Sequence, residues 1–234
     1  TEHTQILYNG NTIFNPMHMF GLFSVIDPDL VGETDLYKGG IPSQYGGRLS
    51  SVMNIKGKTP DRNSFHGSAS IGLVTSRAAV EIPIVKDRMS LLLGGRATYS
   101  DWMLKLINKK NHDSDSWNEG GNTYGYRDGK AGYWDVGGTL NTLLSSNHTL
   151  LINGYYSRDR FSLTKEKKYN YSNTNLSAEL RSRYGDRLST TLIAGYDHYD
   201  YANRDSEYPT SAATLSFNLN NYFVKGNANY ALHK

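Results

Sequence analysis

The chain has 234 residues, a formal net charge of +3 and no cysteine. That length holds one or two domains. Disulfides are excluded, a thiolate zinc site lacks its ligands, and the charge is too small to argue for nucleic acid as a partner. Eighteen tyrosines and 23 glycines accompany a mean hydropathy of −0.58. No stretch approaches the roughly 20 apolar residues of a membrane helix, which leaves a strand-crossing protein open, since its strands are individually weak signals. Thr1 is not a natural start and no signal peptide is present, so an upstream segment is expected.

Residues 1–60 read as mixed α/β. Gln5 to Tyr8 is a short apolar strand ending at Asn9-Gly10, a strong turn signal. Asp27-Pro28 predicts a helix start, with Asp27 as N-cap and Pro28 at the first helical position. Val52 to Lys56 is another strand, and Gly39-Gly40 and Gly46-Gly47 mark tight turns.

From residue 64 the period is two. Phe65, Gly67, Ala69, Ile71 and Leu73 form one face of a first strand. Ala78, Val80, Ile82 and Ile84 follow, opposite Arg77, Glu81 and Pro83. Met89, Leu91, Leu93, Ala97 and Tyr99 then run against Ser90, Arg96 and Thr98. The pattern continues with Trp134, Val136, Leu140 and Leu144 against Asp135, Thr139 and Asn141, and with Leu150, Ile152 and Tyr156 against Asn153. Leu176, Ala178 and Leu180 oppose Glu179 and Arg181, and Leu188, Leu192, Ala194 and Tyr196 oppose Asp197. In the eighth segment the apolar phase switches from Leu215, Phe217 and Leu219 to Tyr222, Val224, Ala228 and Tyr230, which predicts a β-bulge near Asn220-Asn221.

Residues 85–88, 144–148 and 184–187 are short turns, whereas 101–130, 159–173 and 203–213 are long and polar. Short turns on one side and long loops on the other are the arrangement of an outer-membrane barrel. Trp134, Tyr156, Tyr196, Tyr199 and Tyr201 are expected in an aromatic girdle at one interface.

Residues 36–60, LYKGGIPSQYGGRLSSVMNIKGKTP, and the run ILYNGNTIFNPMHMFGLFSV at 6–25 resemble the plug domain of TonB-dependent outer-membrane receptors, in the subgroup with a carboxypeptidase-like N-terminal domain. Tyr45-Gly46-Gly47-Arg48-Leu49-Ser50-Ser51-Val52 and the strand Val52-Met53-Asn54-Ile55 are similar to the closing stretch of that plug. The resemblance implies a membrane all-β chain, with residues 1–60 as the C-terminal part of a small α/β plug. Residues 61–234 are then the first eight strands of a transmembrane antiparallel β-barrel. It further implies a barrel of roughly 22 strands, which at this strand spacing needs on the order of 460 residues, so most of the barrel is expected outside this chain.

The same resemblance implies active uptake of a scarce or bulky substrate, a glycan, a peptide or a metal chelate. No enzyme activity and no cofactor are expected. TonB would act through a segment N-terminal to these residues. Outer-membrane lipid is the surroundings, and a surface lipoprotein partner stays open. A transporter-fold subunit of an assembly or secretion complex is the alternative, as is a small eight-stranded adhesin-like barrel.

Among individual residues, Arg48 lies in the plug's closing stretch. Inward-facing Glu81 and Glu179 are its candidate partners in a plug–barrel contact whose bidentate geometry favours arginine. Asn15, His18, Trp117, Tyr124 and Tyr126 are candidate substrate-facing residues: the first two at plug turns, the others in a long loop whose rings could stack on a ligand. Met17-His18-Met19 carries soft ligand atoms that suit Cu(I), and Asp113, Asp115, Asn118 and Glu119 carry oxygens that suit Ca²⁺. Plug packing and a solvated acidic loop explain these two sets better, and no metal is assigned.

Overall fold

The computed structural model describes residues 4–46, 50–99, 130–162, 167–206 and 212–232. A small mixed sheet has the order β2-β1-β6-β5. It is built from β1 (Thr4–Tyr8), β2 (Asn11–Thr12), β5 (Val31–Tyr37) and β6 (Ser51–Gly57). Asn9 and Gly10 both have positive φ, 49° and 83°, the conformation that closes a two-residue hairpin. The Asn9 side chain then accepts from the Gly57 amide at 2.7 Å and ties that turn to β6. The chain between β1 and its parallel partner β6 carries a hairpin of two short strands, β3 (Met17–His18) and β4 (Phe23–Ser24).

The helix expected after Asp27 is a single 3₁₀ turn, Pro28–Leu30. Asp27 caps it by accepting from the Asp29 amide at 3.0 Å, but Val31-Gly32 and the β-forming residues after them take the chain straight into β5. The start signal is read correctly, and the residues beyond it pair with β6 instead of coiling.

The second sheet is an eight-stranded antiparallel meander from β7 to β14, with β7 and β14 at its edges. Its strands are β7 (His66–Ile71), β8 (Thr75–Val85), β9 (Met89–Thr98), β10 (Lys130–Ser145), β11 (His148–Ser162), β12 (Lys167–Tyr184), β13 (Leu188–Asp205) and β14 (Ala213–Tyr230). One face exposes an apolar band: Ile82, Leu93, Val136, Ile152, Leu176, Leu192 and Val224, one from each of seven adjacent strands. The opposite face buries Glu81, Arg96, Asp135, Asn153, Asn175 and Asp197. Apolar outside and polar inside inverts the arrangement of a soluble sheet and matches a wall between lipid and a polar lumen.

The small sheet sits on the polar face of this wall. Its core of Tyr8, Ile13, Val25, Ile26 and Ile55 is completed by Tyr155 of β11. So few strands cannot bury an apolar face alone, and the wall supplies what is missing.

Three expectations change. Registry between β13 and β14 is continuous from Leu188↔Tyr230 to Asp205↔Ala213, so there is no bulge at Asn220-Asn221. Leu215, Phe217 and Leu219 instead face the lumen, and Phe217 contacts Tyr199 and Tyr201 across the strand pair. Tyr199 and Tyr201 share that inward face and leave the girdle, whereas Trp134 pairs with Tyr156 and Tyr196 with Tyr222 on the outer face. Finally, β11, β12 and β13 run well into the segments 159–173 and 203–213 that read as loops. Nine to eleven residues cross a membrane, so 18-residue strands stand far out on the long-loop side, with polar residues on both faces and no alternation to read.

Candidate functional site at the plug–wall interface

The contact between the small sheet, here the plug, and the wall is dominated by polar side chains. At its centre His18 of β3 is fully buried. Its Nδ1 lies 2.6 Å from Oδ2 of Asp159 on β11, and its Nε2 lies 3.3 Å from Oδ2 of Asp135 on β10. The second approach is close enough for charge attraction but lies off the line of a good hydrogen bond. Asp159 also accepts from the Met19 amide at 3.2 Å, which holds Met19 at φ +49°, a left-handed conformation costing roughly 1–2 kcal/mol in a non-glycine residue.

Arg96 of β9 completes the cluster. Its Nε donates to Oδ2 of Asp135 at 2.9 Å, and one terminal nitrogen forms an ion pair with the same oxygen at 2.8 Å. That nitrogen also donates to the plug carbonyls of Ser24 at 2.7 Å and Val25 at 3.3 Å. The Tyr133 ring stacks on His18 with centroids 4.0 Å apart and planes 9° from parallel, and the Arg96 guanidinium lies 5.0 Å from the same ring. Burial works against a charged His18, but hydrogen bonding and the charges of Asp135 and Asp159 outweigh it and raise its pKa above the usual 6.5. Burial raises the Asp27 carboxyl, partly offset by the Asp29 amide and by Arg96. A buried ionic cluster of this kind adds little net stability against an apolar alternative, yet breaking one member costs about 3–5 kcal/mol. Its effect is to fix where the plug sits.

Around this centre run amide and hydroxyl contacts. Asn9 donates to Asn153 at 3.2 Å and Asn11 to Ser177 at 2.9 Å. The Thr12 amide donates to Asp197 at 3.0 Å, and Asn175 to the Thr12 carbonyl at 3.2 Å. Lys225 of β14 donates to the Gly10 carbonyl at 2.6 Å. One apolar knob is embedded among them: Leu30, fully buried, seats over Gly94 and Gly137, a cross-strand pair. A Cβ on either glycine would lie 2.8 Å from a Leu30 methyl.

Of the residues singled out from sequence, Arg48, Trp117, Tyr124 and Tyr126 lie outside the described residues. Glu81 is held by Lys58 at 2.5 Å and by the Asp61 amide at 3.1 Å, both in the segment joining plug to wall. Glu179 pairs with Arg181 on its own strand at 2.6 Å. Asn15 is half-buried and its side chain accepts from the Met17 amide. His18 is corrected from substrate-facing to interface: two carboxylates draw its ring into the wall, and no part of it reaches the lumen. The functional residues missed were Asp159, placed in a loop, and the pairing of Arg96 with Asp135. Their inward parity on adjacent strands was the available signal, but only the register joins them.

A second surface lies on the long-loop side of the plug. Phe14 packs on Tyr199 at 6.0 Å, and Tyr201, Phe217 and Leu219 extend the patch up the lumen wall. Phe217 and Leu219 are exposed there on the inner side of the wall, Phe14 and Tyr201 are half-buried, and Tyr199 is buried.

No family model matches the chain and no curated protein sequence does. Solved structures do. The ferric enterobactin receptor of Pseudomonas aeruginosa superposes with a TM-score of 0.69 at 17% identity, covering 99% of this chain and 39% of that one. The siderophore receptor PirA of Acinetobacter baumannii gives 0.57 at 18%, over 94% and 36%. The outer membrane transporter YddB of Escherichia coli gives 0.64 at 10%, over 98% and 38%. The chain thus spans about two-fifths of the length of these structures.

Proposed function

We propose that this chain, which has the plug-and-barrel fold of TonB-dependent outer-membrane receptors, forms the plug and adjoining wall of an importer energised through TonB. The observation that carries this reading is a plug seated in a polar wall by hydrogen bonds, the ionic cluster around His18 and the pairing of wall Arg77 with Asp29 at 3.3 Å, rather than by a broad apolar interface. Each such bond contributes only about 0.5–1.5 kcal/mol net, because water replaces it when it breaks. A polar seat therefore closes the lumen at rest and lets the plug be drawn away by a pull without exposing a large apolar area.

The reading needs no covalent chemistry, and no enzymatic role is assigned. The lumen patch of Phe14, Tyr199, Tyr201 and Phe217 gives an apolar, ring-lined surface on the outer side of the plug, suited to a bulky ligand with flat or aromatic faces. Two of the similar structures are receptors for ferric enterobactin and for a siderophore, and a metal chelate is the substrate class we favour over a glycan or a peptide.

Uptake of labelled ferric catecholate chelates, oligosaccharides and peptides is to be compared in cells with and without the full-length protein, each with and without TonB. The expected result is accumulation of the chelate class that needs both. Passive accumulation that ignores TonB contradicts the reading, as does no dependence on the protein for any class.

A further inference from the structure

The plug turn at Asn9-Gly10 and the strands β12, β13 and β14 enclose a cleft of about 250 Å³. It lies toward the short turns: Arg181 and Thr191, cross-strand partners in its lining, stand three residues from the ends of β12 and β13 at Tyr184 and Leu188. Leu7 and Tyr45 of the plug and Ile193 of β13 give it apolar walls, and its charged residues are Lys56, Glu179, Arg181 and Lys225. Glu179 is bonded to Arg181 at 2.6 Å. Lys56 is bonded to Glu33 at 2.9 Å and to Asp35 at 3.1 Å. Lys225 differs. It is half-buried, donates to the Gly10 carbonyl at 2.6 Å and lies 4.5 Å from the centre of the Phe223 ring. Among the described residues no carboxylate forms an ion pair with it. Asp197, inward on the neighbouring strand, already accepts from the Thr12 amide, Asn175 and Asn221.

An ammonium carries three donors, and Gly10 takes one of them. Drawing a cation out of water without a counter-charge is unfavourable, and the acids around Lys225 are committed elsewhere. The missing counter-charge is left to a ligand. Oxygen anions suit it, because charge-assisted hydrogen bonds to an ammonium are about twice as strong as neutral ones. Size narrows the class further. The cleft is smaller than the roughly 300–1,000 Å³ of pockets that enclose a whole ligand, so it admits one flat arm of a larger molecule.

We propose that this cleft is an exit-side subsite that takes one anionic, ring-bearing arm of the transported chelate. Leu7 and Ile193 flank the ring, and Lys225 meets its oxygens. An arm held there competes with the Gly10 carbonyl for the ammonium, so the ligand weakens the bond between the plug turn and β14 as it arrives. The inference rests on the chelate reading above. It adds a second position for the ligand, on the opposite side of the plug from the patch of Phe14, Tyr199 and Phe217.

The test follows acetylation of Lys225 by a water-soluble active ester, read by peptide mass spectrometry in the purified full-length protein in detergent. The probes are a trianionic ferric tricatecholate, a neutral ferric trihydroxamate and inorganic phosphate at equal concentration. The tricatecholate is expected to slow acetylation of Lys225 at least about fivefold and to leave Lys86, exposed in a short turn, unchanged. The trihydroxamate and phosphate should leave Lys225 unprotected. R181Q keeps the reporter lysine and removes a cation of the cleft. It should raise the tricatecholate concentration for half-protection at least about threefold, with heat-dependent gel migration verifying that the barrel is folded. An unprotected Lys225 overturns the proposal, as does equal protection by the trihydroxamate or an unchanged half-protection in R181Q. Equal protection by phosphate overturns it in favour of a free-anion site. Protection in a protein that gives no TonB-dependent uptake supports the cleft and overturns the importer reading; uptake without protection does the reverse.

Discussion

His18 is where the interface can be probed by chemistry alone. Its raised pKa means the protonated ring is favoured when the plug is docked between Asp135 and Asp159. The stabilisation is fully present below the ordinary value of 6.5 and fades as pH rises through the raised one. Hydrogen exchange of the Met19 amide, which donates to Asp159, is therefore expected to lose protection over that upper window, after correction for intrinsic rates. H18Q should lower protection by the equivalent of about 3 kcal/mol at neutral pH, since it leaves two carboxylates with one cation fewer, and should flatten the pH dependence. An unchanged pH profile in H18Q contradicts this. Little of the cluster was legible in sequence. His18 stood out only as part of a Met-His-Met run, and the inward parity of Arg96 and Asp135 gave no reason to bring them to a plug residue 78 and 117 positions away.

Alternation was legible wherever lipid enforces it. From Ile82 to Val224 each strand carries apolar residues on the outer face, and the reading of strands, faces and short turns follows directly from the period of two. Beyond the girdle both faces meet water, the constraint disappears, and strand looks like loop. β14 shows the opposite failure: Leu215, Phe217 and Leu219 are apolar for the lumen's sake, so an apparent phase switch arises in a strand of continuous register. Single cysteine substitutions in the full-length protein, with any other cysteine replaced, can report the face. F217C and L219C are expected to react with a water-soluble, membrane-impermeant thiol reagent. Y222C and V224C should react only with a lipid-soluble one. Labelling of 217 and 219 from the lipid phase would restore the bulge and move the aromatic patch out of the lumen.

For the whole molecule, the plug and wall form a single packed unit: Tyr155 of the wall closes the plug's core, Leu30 of the plug fills a hole at Gly94 and Gly137, and the ionic cluster sets the register between them. The plug's closing stretch and the eight alternating strands were sufficient to reach this architecture from sequence. The seat itself was not, because it depends on which inward residues the tilt of each strand brings opposite the plug turns. On the proposed function, this seat is closed at rest and opened by TonB. Val25, 2% exposed between plug and wall, offers a conservative place for a thiol. In energised cells supplied with a transported chelate, V25C in the full-length protein is expected to become reactive to a water-soluble thiol reagent. It should stay protected when TonB is deleted or the inner membrane is de-energised. Equal reactivity in all three states would contradict the account, since the plug would then be fixed in place or permanently open.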